Sequence, residues 1–426
     1  MTEETLPIRI AVDDPPSDDG ATATGPVQPS ERMVLVDVLR GFALLGILQV
    51  NWWWSWGPES VPPILRDLLG FFVDGSFYTT FSFLFGLGFA IQLIRAEEAN
   101  RPFVLRHLWR LLIMFFIGAA HEIFIWGGDI VKGYALAGVM LLVVCRFRAG
   151  LIVALAAAVL VLAMAPRLAP DWRVLTRTNP EQVETVRLRD QARSAAPQRK
   201  TLPYGQFVQA QAIGVWELVT ERVTTFQWWL GERCEWLCMF FLGLYAGRRR
   251  LFRDAEQHTR FFVWVGAVAL VFGLAGNALD GFPDFFAGIG IVLPKAVSGW
   301  SLTYSLGNIG LALFYMAGIT LLFTHRASAQ RLLAPLAYVG RMGLTNYIMQ
   351  SVILELILGR GFGLIDRPDG LQGWSNFLLI NAFFAVQIIY SFWWFQYFRF
   401  GPVEWAWRSL TWFRLQPMRA KQLVET

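Results

Sequence analysis

Six residues that can do chemistry interrupt apolar runs in this sequence. His121 is followed directly by Glu122 and, within the same stretch HEIFIWGGDIVKGYALAGVMLL, by Asp129. A carboxylate that holds one imidazole nitrogen leaves the other free to act as a general base. Asn51 closes the run DVLRGFALLGILQVN. Its amide is suited to positioning a carbonyl or stabilising an oxyanion. Asp74 stands near the head of another apolar run, and Lys132 is spaced i,i+3 from Asp129, where it can neutralise that carboxylate. Polar groups inside spans either serve function or bond neighbouring helices. For one residue both roles stay open; several converging on one side favour function.

A second group has the opposite chemistry. Asp37 and Arg40 are spaced i,i+3 as an ion pair, and Arg341 lies inside an apolar run. Guanidinium groups at such a depth can bind phosphate bidentately. Arg106 and Arg110 are near the same level, where an orientation signal and lipid-headgroup contact explain them equally well. Asn346 and Gln350 share a helix face at i,i+4 and either line a path or bond neighbouring helices, as do Asn381, Gln387 and Gln396.

No HExxH, GxSxG, P-loop or dinucleotide fingerprint stands in its required context. Gly86 and Gly88 read as packing residues rather than a phosphate loop. Cys234 and Cys238 are one helical turn apart without a second pair to complete a metal site. They and Cys145 read as small buried hydrophobes, so neither a metal nor a disulfide framework is expected.

The elements that must position these groups are membrane helices. The chain of 426 residues is 55% hydrophobic and only 16% charged, with 19 Trp and 35 Phe, less charge than soluble domains carry. Its mean hydropathy is +0.43. The fold class expected is all-α, a polytopic membrane protein of about ten transmembrane helices. The spans fall near 35–56, 71–94, 107–126, 130–146, 150–166, 228–247, 260–279, 303–324, 336–358 and 376–398. Residues 1–30 read as a disordered tail without a basic secretory start. A five-helix membrane half over 31–166 precedes an extracytoplasmic segment over 167–227. The later part of that segment is weakly amphipathic, with Phe207, Gln211, Val215 and Leu218 at near-helical spacing. A second five-helix half over 228–413 leads to a short tail, 414–426.

Net charge is +5, and its placement matters more than its sum. With ten spans, Arg95, Arg101 and Arg106, Arg146 and Arg148, the run Arg248–Arg253, Arg326 and Arg331, and the C-terminal arginines all fall on one side together with the N-terminus. The positive-inside rule makes that side cytoplasmic, with both termini there. The partners expected are the bilayer and a small-molecule substrate. A homodimer stays open, and no soluble basic face offers a nucleic-acid surface.

Four ordered motifs carry a family resemblance across most of residues 33–413: DVLRGFALLGILQVN, HEIFIWGGDIVKGYALAGVMLL, GRMGLTNYIMQS and FRFGPVEWAWRSLTW. Together they resemble the YeiB-like bacterial membrane proteins, whose C-terminal region defines a domain-of-unknown-function family numbered 418. That family is similar in turn to transmembrane acyltransferases such as heparan-alpha-glucosaminide acetyltransferase, which share an R-G-x-A-L start and an Asn at the spacing of Arg40 to Asn51. The resemblance implies acyl transfer from cytosolic acyl-CoA to an acceptor hydroxyl or amine on the far side. The acetyltransferase carries a His shortly after its Asn, whereas Trp52–Arg66 contains none, so His121 has to serve.

Under that reading Arg40 and Arg341, with Asp37, hold the acyl-CoA phosphates. His121, oriented by Asp129 or Glu122, is the base, and Asn51 positions the carbonyl. The alternative is a small-solute transporter, with Asp74, His121 and Asp129 as a proton or substrate relay and Asn346 and Gln350 along the path. A non-catalytic membrane partner is a third, weaker reading.

Overall fold

The computed structural model describes residues 33–56, 60–162, 203–222, 234–289, 302–357 and 373–420. The expected N-terminal tail, most of the 167–227 segment, and the edges of the expected spans at 163–166, 228–233 and 358 lie outside the described residues. Helix follows helix: α1 (Val34–Trp56), α2 (Pro63–Phe72), α3 (Ser76–Glu98), α4 (Val104–Phe124), α5 (Val131–Val144) and α6 (Ala149–Leu162) come first. Then come α7 (Tyr204–Glu217), α8 (Cys234–Arg248), α9 (Thr259–Gly281) and α10 (Leu302–His325). The chain continues through α11 (Ala327–Arg341), α12 (Gly343–Ser351), α13 (Trp374–Tyr397) and α14 (Pro402–Trp412). Among the described residues there is no strand beyond one isolated bridge, Phe398 to Arg419.

The protein is therefore an all-α polytopic membrane protein. Six segments among the described residues are long and apolar enough to cross a bilayer: Val34–Ser55, Pro63–Glu98, Val104–Phe124, Thr259–Gly281, Thr303–His325 and Trp374–Tyr397. The other expected spans correspond to shorter helices. α5 has 14 residues, and the described parts of α6 and α8, which border undescribed residues, have 14 and 15, where a perpendicular crossing takes about 20.

Two expected spans differ in detail. Residues 71–94 straddle a bend at Val73–Gly75, where Gly75 takes φ +75°, a conformation that L side chains rarely adopt. Residues 336–358 are not one helix: α11 ends at Arg341, Met342 leaves helical geometry at φ −116° and ψ 47°, and α12 begins at Gly343. Residues 352–357 then form a π-helical turn.

α1 is the hub. Its most apolar window is 78% buried, against 22% for α13, which faces outward. It packs on α11, α3 and α12. The tightest crossing is with α11, because a glycine on each helix meets the other's backbone. A Cβ on Gly340 would run into the Asp37 carbonyl, and one on Gly41 into the Leu336 carbonyl. α3 and α8 cross in the same way at Gly86 and Gly243, with Gly247 against Ala90. Gly86 is thus a packing residue, as its place in an apolar run suggests. Cys234 and Cys238 are buried in α8.

Candidate functional site

The buried stripe of α4 organises the site. His107, Leu111, Met114, Gly118 and His121 are all buried, and their i, i+4, i+7, i+11, i+14 spacing puts them on one face. A histidine therefore stands at each end of a stripe about 21 Å long, at 1.5 Å per residue.

At one end, His121 Nδ1 hydrogen-bonds Asp129 Oδ2 at 2.8 Å. An ionised carboxylate only accepts, so Nδ1 carries the proton and Nε2 is left as the basic nitrogen. Nε2 is buried with no hydrogen-bond partner. Of the two carboxylates near His121 in sequence, Asp129 orients the ring. Glu122 is instead ion-paired with Lys132. Lys132 also bonds Asp129: its backbone N–H donates to Asp129 Oδ1 at 2.9 Å and its Nζ to the Asp129 carbonyl at 3.1 Å. Gly118 makes the arrangement possible, since a Cβ there would meet the Lys132 backbone nitrogen and Asp129 Oδ1. α7 packs on α4 nearby. Tyr204 donates to the Phe124 carbonyl at 2.9 Å, and Phe207, Gln211 and Val215 form the buried face of α7.

At the other end, a cavity of ≈ 420 Å³ runs between α1, α3, α4, α12 and α14. Its wall on α3 extends from Arg95 back to Phe81, and on α4 from Arg106 to Met114. Those helix positions sort the lining. Arg40, Arg95, Arg101, Arg106, Arg341 and Arg408 crowd the end formed by the α3–α4 turn and α14, whereas Phe81, Met114, Ile130 and Tyr134 line the other. Arg40 Nη1 bonds Asp37 Oδ1 at 2.7 Å, and Gly88 on α3 lies beside the Arg40 guanidinium. The Gly41–Gly340 crossing brings Arg40 and Arg341 to the same cavity. Tyr347 closes the apolar end, and its ring centroid is 5.2 Å from that of His121. One aromatic ring thus stands between the cavity and the imidazole.

The break at Met342 is held open by Glu404. Leu344 and Thr345 backbone N–H groups donate to Glu404 Oε1 at 2.7 and 3.1 Å, and Thr345 Oγ1 donates to Oε2. These are donors that the start of a helix leaves without intrahelical partners. Burial pushes the Glu404 carboxyl above the usual carboxylate range, and the hydrogen bonds pull it part of the way back. The rest of α14 clamps the arginine end. Arg110 lies 4.1 Å over the Trp407 ring and Arg106 4.3 Å over that of Trp412, while Trp407 Nε1 donates to the Arg110 carbonyl at 3.0 Å. Arg341 stacks 3.8 Å over Phe395.

The remaining expected site residues lie apart from this cavity. Asn51 accepts the Tyr78 hydroxyl through Oδ1, and its buried Nδ2 has no partner. Tyr134 donates to the Tyr78 carbonyl at 3.0 Å, which links that pair to the apolar end. Asp74 is in the α2–α3 bend. Asn346 and Gln350 are used between helices: Asn346 Nδ2 donates to Val339 O and Ser391 Oγ, both at 3.1 Å, and Gln350 Nε2 donates to Gln387 Oε1 at 2.9 Å. Tyr347, Glu404, Trp407 and His107 are site residues that the one-dimensional reading passes over. His107 is hidden in the basic run VLRHLWR, and the others sit among aromatic and polar residues that packing alone would explain.

Residues 246–414 match the family described as Protein of unknown function (DUF418). Over 425 aligned residues the chain is 27% identical to Uncharacterized protein YxaH of Bacillus subtilis (strain 168), covering 94% of this chain and 99% of that protein. It is 27% identical to an uncharacterized 39.9 kDa protein from the amylase 3' region of Bacillus acidopullulyticus, over 93% of this chain and 99% of that one. It is 25% identical to Uncharacterized protein YeiB of Escherichia coli (strain K12), over 89% and 96%. α14, with its Glu404 cap, and the GRMGLTN break lie inside the matched region, while the His121–Asp129 pair precedes it. The chain is thus similar along nearly its whole length to the uncharacterized proteins YxaH and YeiB, and its C-terminal part, residues 246–414, matches the DUF418 family.

Proposed function

We propose that this protein is a membrane acyltransferase that takes an acyl group from acyl-CoA and passes it to a hydroxyl or amine acceptor. The observation that carries the reading is the cavity. It is rich in arginine at one end and apolar at the other, and it ends one ring short of a histidine whose Nδ1 is held by a carboxylate. A phosphorylated thioester has the matching polarity: Arg40 and Arg341 hold its phosphates and the acyl end lies toward Tyr347.

In this reading His121 Nε2 takes the proton of the acceptor as its oxygen or nitrogen attacks the thioester carbonyl. The carbon–sulfur bond then breaks, and the coenzyme A thiolate leaves and takes up that proton. Asp129 steadies the imidazolium in between. Asn51, whose Oδ1 is occupied by Tyr78, lies outside the cavity lining and takes no part in this step. The arginine end faces the cytoplasm of a bacterial inner membrane, with both termini on that side.

The test is acyl-CoA binding by the detergent-purified full chain, wild type against R40A, followed by transfer to water-soluble alcohols and amines with H121A. Binding weakened by R40A and transfer abolished by H121A support the proposal. A wild type that binds no acyl-CoA sinks it.

One observation favours a transporter. The α11–α12 break is a discontinuous helix, a feature of many transport sites. Solute uptake into vesicles by a protein without acyl transfer would decide for that reading.

A further inference from the structure

His107 stands on the same α4 stripe as His121, fourteen positions earlier, and the mechanism above makes no use of it. It lines the cavity just inside the arginine end and is 4% exposed. Its ring is stacked on Phe103 at 5.0 Å and 19°, and meets the Phe89 edge at 4.8 Å. Neither Nδ1 nor Nε2 has a hydrogen-bond partner. Two orphaned nitrogens on a buried side chain are unusual, because buried polar groups are nearly always bonded. A phenyl ring would fill the aromatic slot without that penalty.

We propose that His107 is a ligand-reading residue, which binds a neutral hydrogen-bonding group between the anionic and apolar ends of the cavity's occupant. A neutral imidazole offers one donor and one acceptor, and a secondary amide offers the complement of each. The inference rests on the donor reading above, since in acyl-CoA an amide-bearing arm joins the diphosphate to the thioester. The phosphates then meet Arg40 and Arg341, the arm passes His107, and the thioester lies beyond Leu111 toward Tyr347. Arg106 and Arg110, on either side of His107 in α4, are held over Trp412 and Trp407, which leaves the imidazole facing the cavity between two fixed cations.

The test compares equilibrium binding of coenzyme A and of ADP, which has the base and diphosphate but no amide arm, by the purified full chain. Wild type, H107F and H107Q are measured, with melting temperature in detergent alongside. We expect H107F to weaken coenzyme A binding about tenfold, the worth of one or two hydrogen bonds. ADP binding should be unchanged and the melting temperature unchanged or higher. H107Q, whose amide keeps a donor and an acceptor, should recover part of the lost affinity.

Coenzyme A binding unaltered in H107F overturns the proposal. So does an equal loss of coenzyme A and ADP. A lowered melting temperature with no recovery in H107Q makes His107 a packing residue and overturns it as well. Should ADP bind too weakly to compare, recovery or its absence in H107Q decides. A wild type that binds no coenzyme A overturns the donor reading and this one with it, whereas wild-type binding indifferent to residue 107 removes only this one.

Discussion

Asp129 and His121 share a hydrogen bond of 2.8 Å with side-chain exposures of 0% and 1%. The carboxylate is aimed by its own turn: its second oxygen holds the Lys132 N–H, and that turn rests on Gly118 of the helix bearing the histidine. The pair is therefore preorganised before any substrate enters. H121A is expected to lower acyl transfer roughly 10²- to 10⁴-fold, the usual span for loss of a general base. D129N keeps an acceptor for Lys132 but removes the charge that steadies the imidazolium. It should lower kcat with little effect on acyl-CoA affinity, and steady-state kinetics with the two variants check both.

The arginine end should control affinity rather than chemistry. R40A and R341A are each expected to weaken acyl-CoA binding by about 1.5–3 kcal/mol, the range for hydrogen bonds to charged groups. R341K should do nearly as badly, because an ammonium keeps the charge but loses both the bidentate fork and the planar stack on Phe395. Equilibrium binding at several salt concentrations checks this, and an affinity that does not change with salt would contradict a phosphate site.

Tyr347 sets the depth of the cavity. Y347A removes the ring between the cavity and His121, so the protein should accept longer acyl chains, read as a shift in relative kcat/KM across an acyl-CoA series. A variant whose chain-length preference matches the wild type would show that Tyr347 is not the limit.

Glu404 ties α14 to the start of α12. E404A leaves the Leu344 and Thr345 donors without their acceptor and is expected to cost on the order of 2–3 kcal/mol, measured as a lower melting temperature in detergent. Because burial raises its carboxyl above the unfolded value, the folded state binds this proton more readily. Its contribution to stability is therefore full below the ordinary carboxylate range and is lost as pH rises through the raised value. The wild type should lose stability relative to E404Q over that rise, and melting curves at a series of pH values read the sign directly.

The α1–α11 crossing has no room for a side chain at either of its glycines. G340L would push the Asp37 carbonyl and the Arg40 turn away from α11, with a destabilisation of about 1–3 kcal/mol or more from overpacking. The expected signature is a fall in both melting temperature and acyl-CoA affinity, since the same contact places both arginines.

The one-dimensional pattern determined what depends on neighbours along the chain. Apolar runs of sufficient length make membrane helices of Val34–Trp56, Val104–Phe124 and Trp374–Tyr397 whatever surrounds them, because a backbone in lipid must satisfy its own hydrogen bonds. The i,i+3 spacing of Asp37 and Arg40 likewise foretold their ion pair, and the stretch from His121 to Asp129 was short enough for its residues to be read as one unit. Tertiary structure decided what depends on residues far apart in sequence. Met342 could break an apolar helix only because Glu404, sixty residues on, satisfies the donors the break exposes. Whether Asn346 and Gln350 lined a path or bonded neighbours turned on where Ser391 and Gln387 came to lie. His107, hidden in a basic run, became a cavity residue only when Phe89 and Phe103 closed around its ring without offering its nitrogens a partner. Spacing constrains contacts within a turn or two of helix, while the contacts that build this site span tens to hundreds of residues and follow from how helices with glycines at their crossings come together.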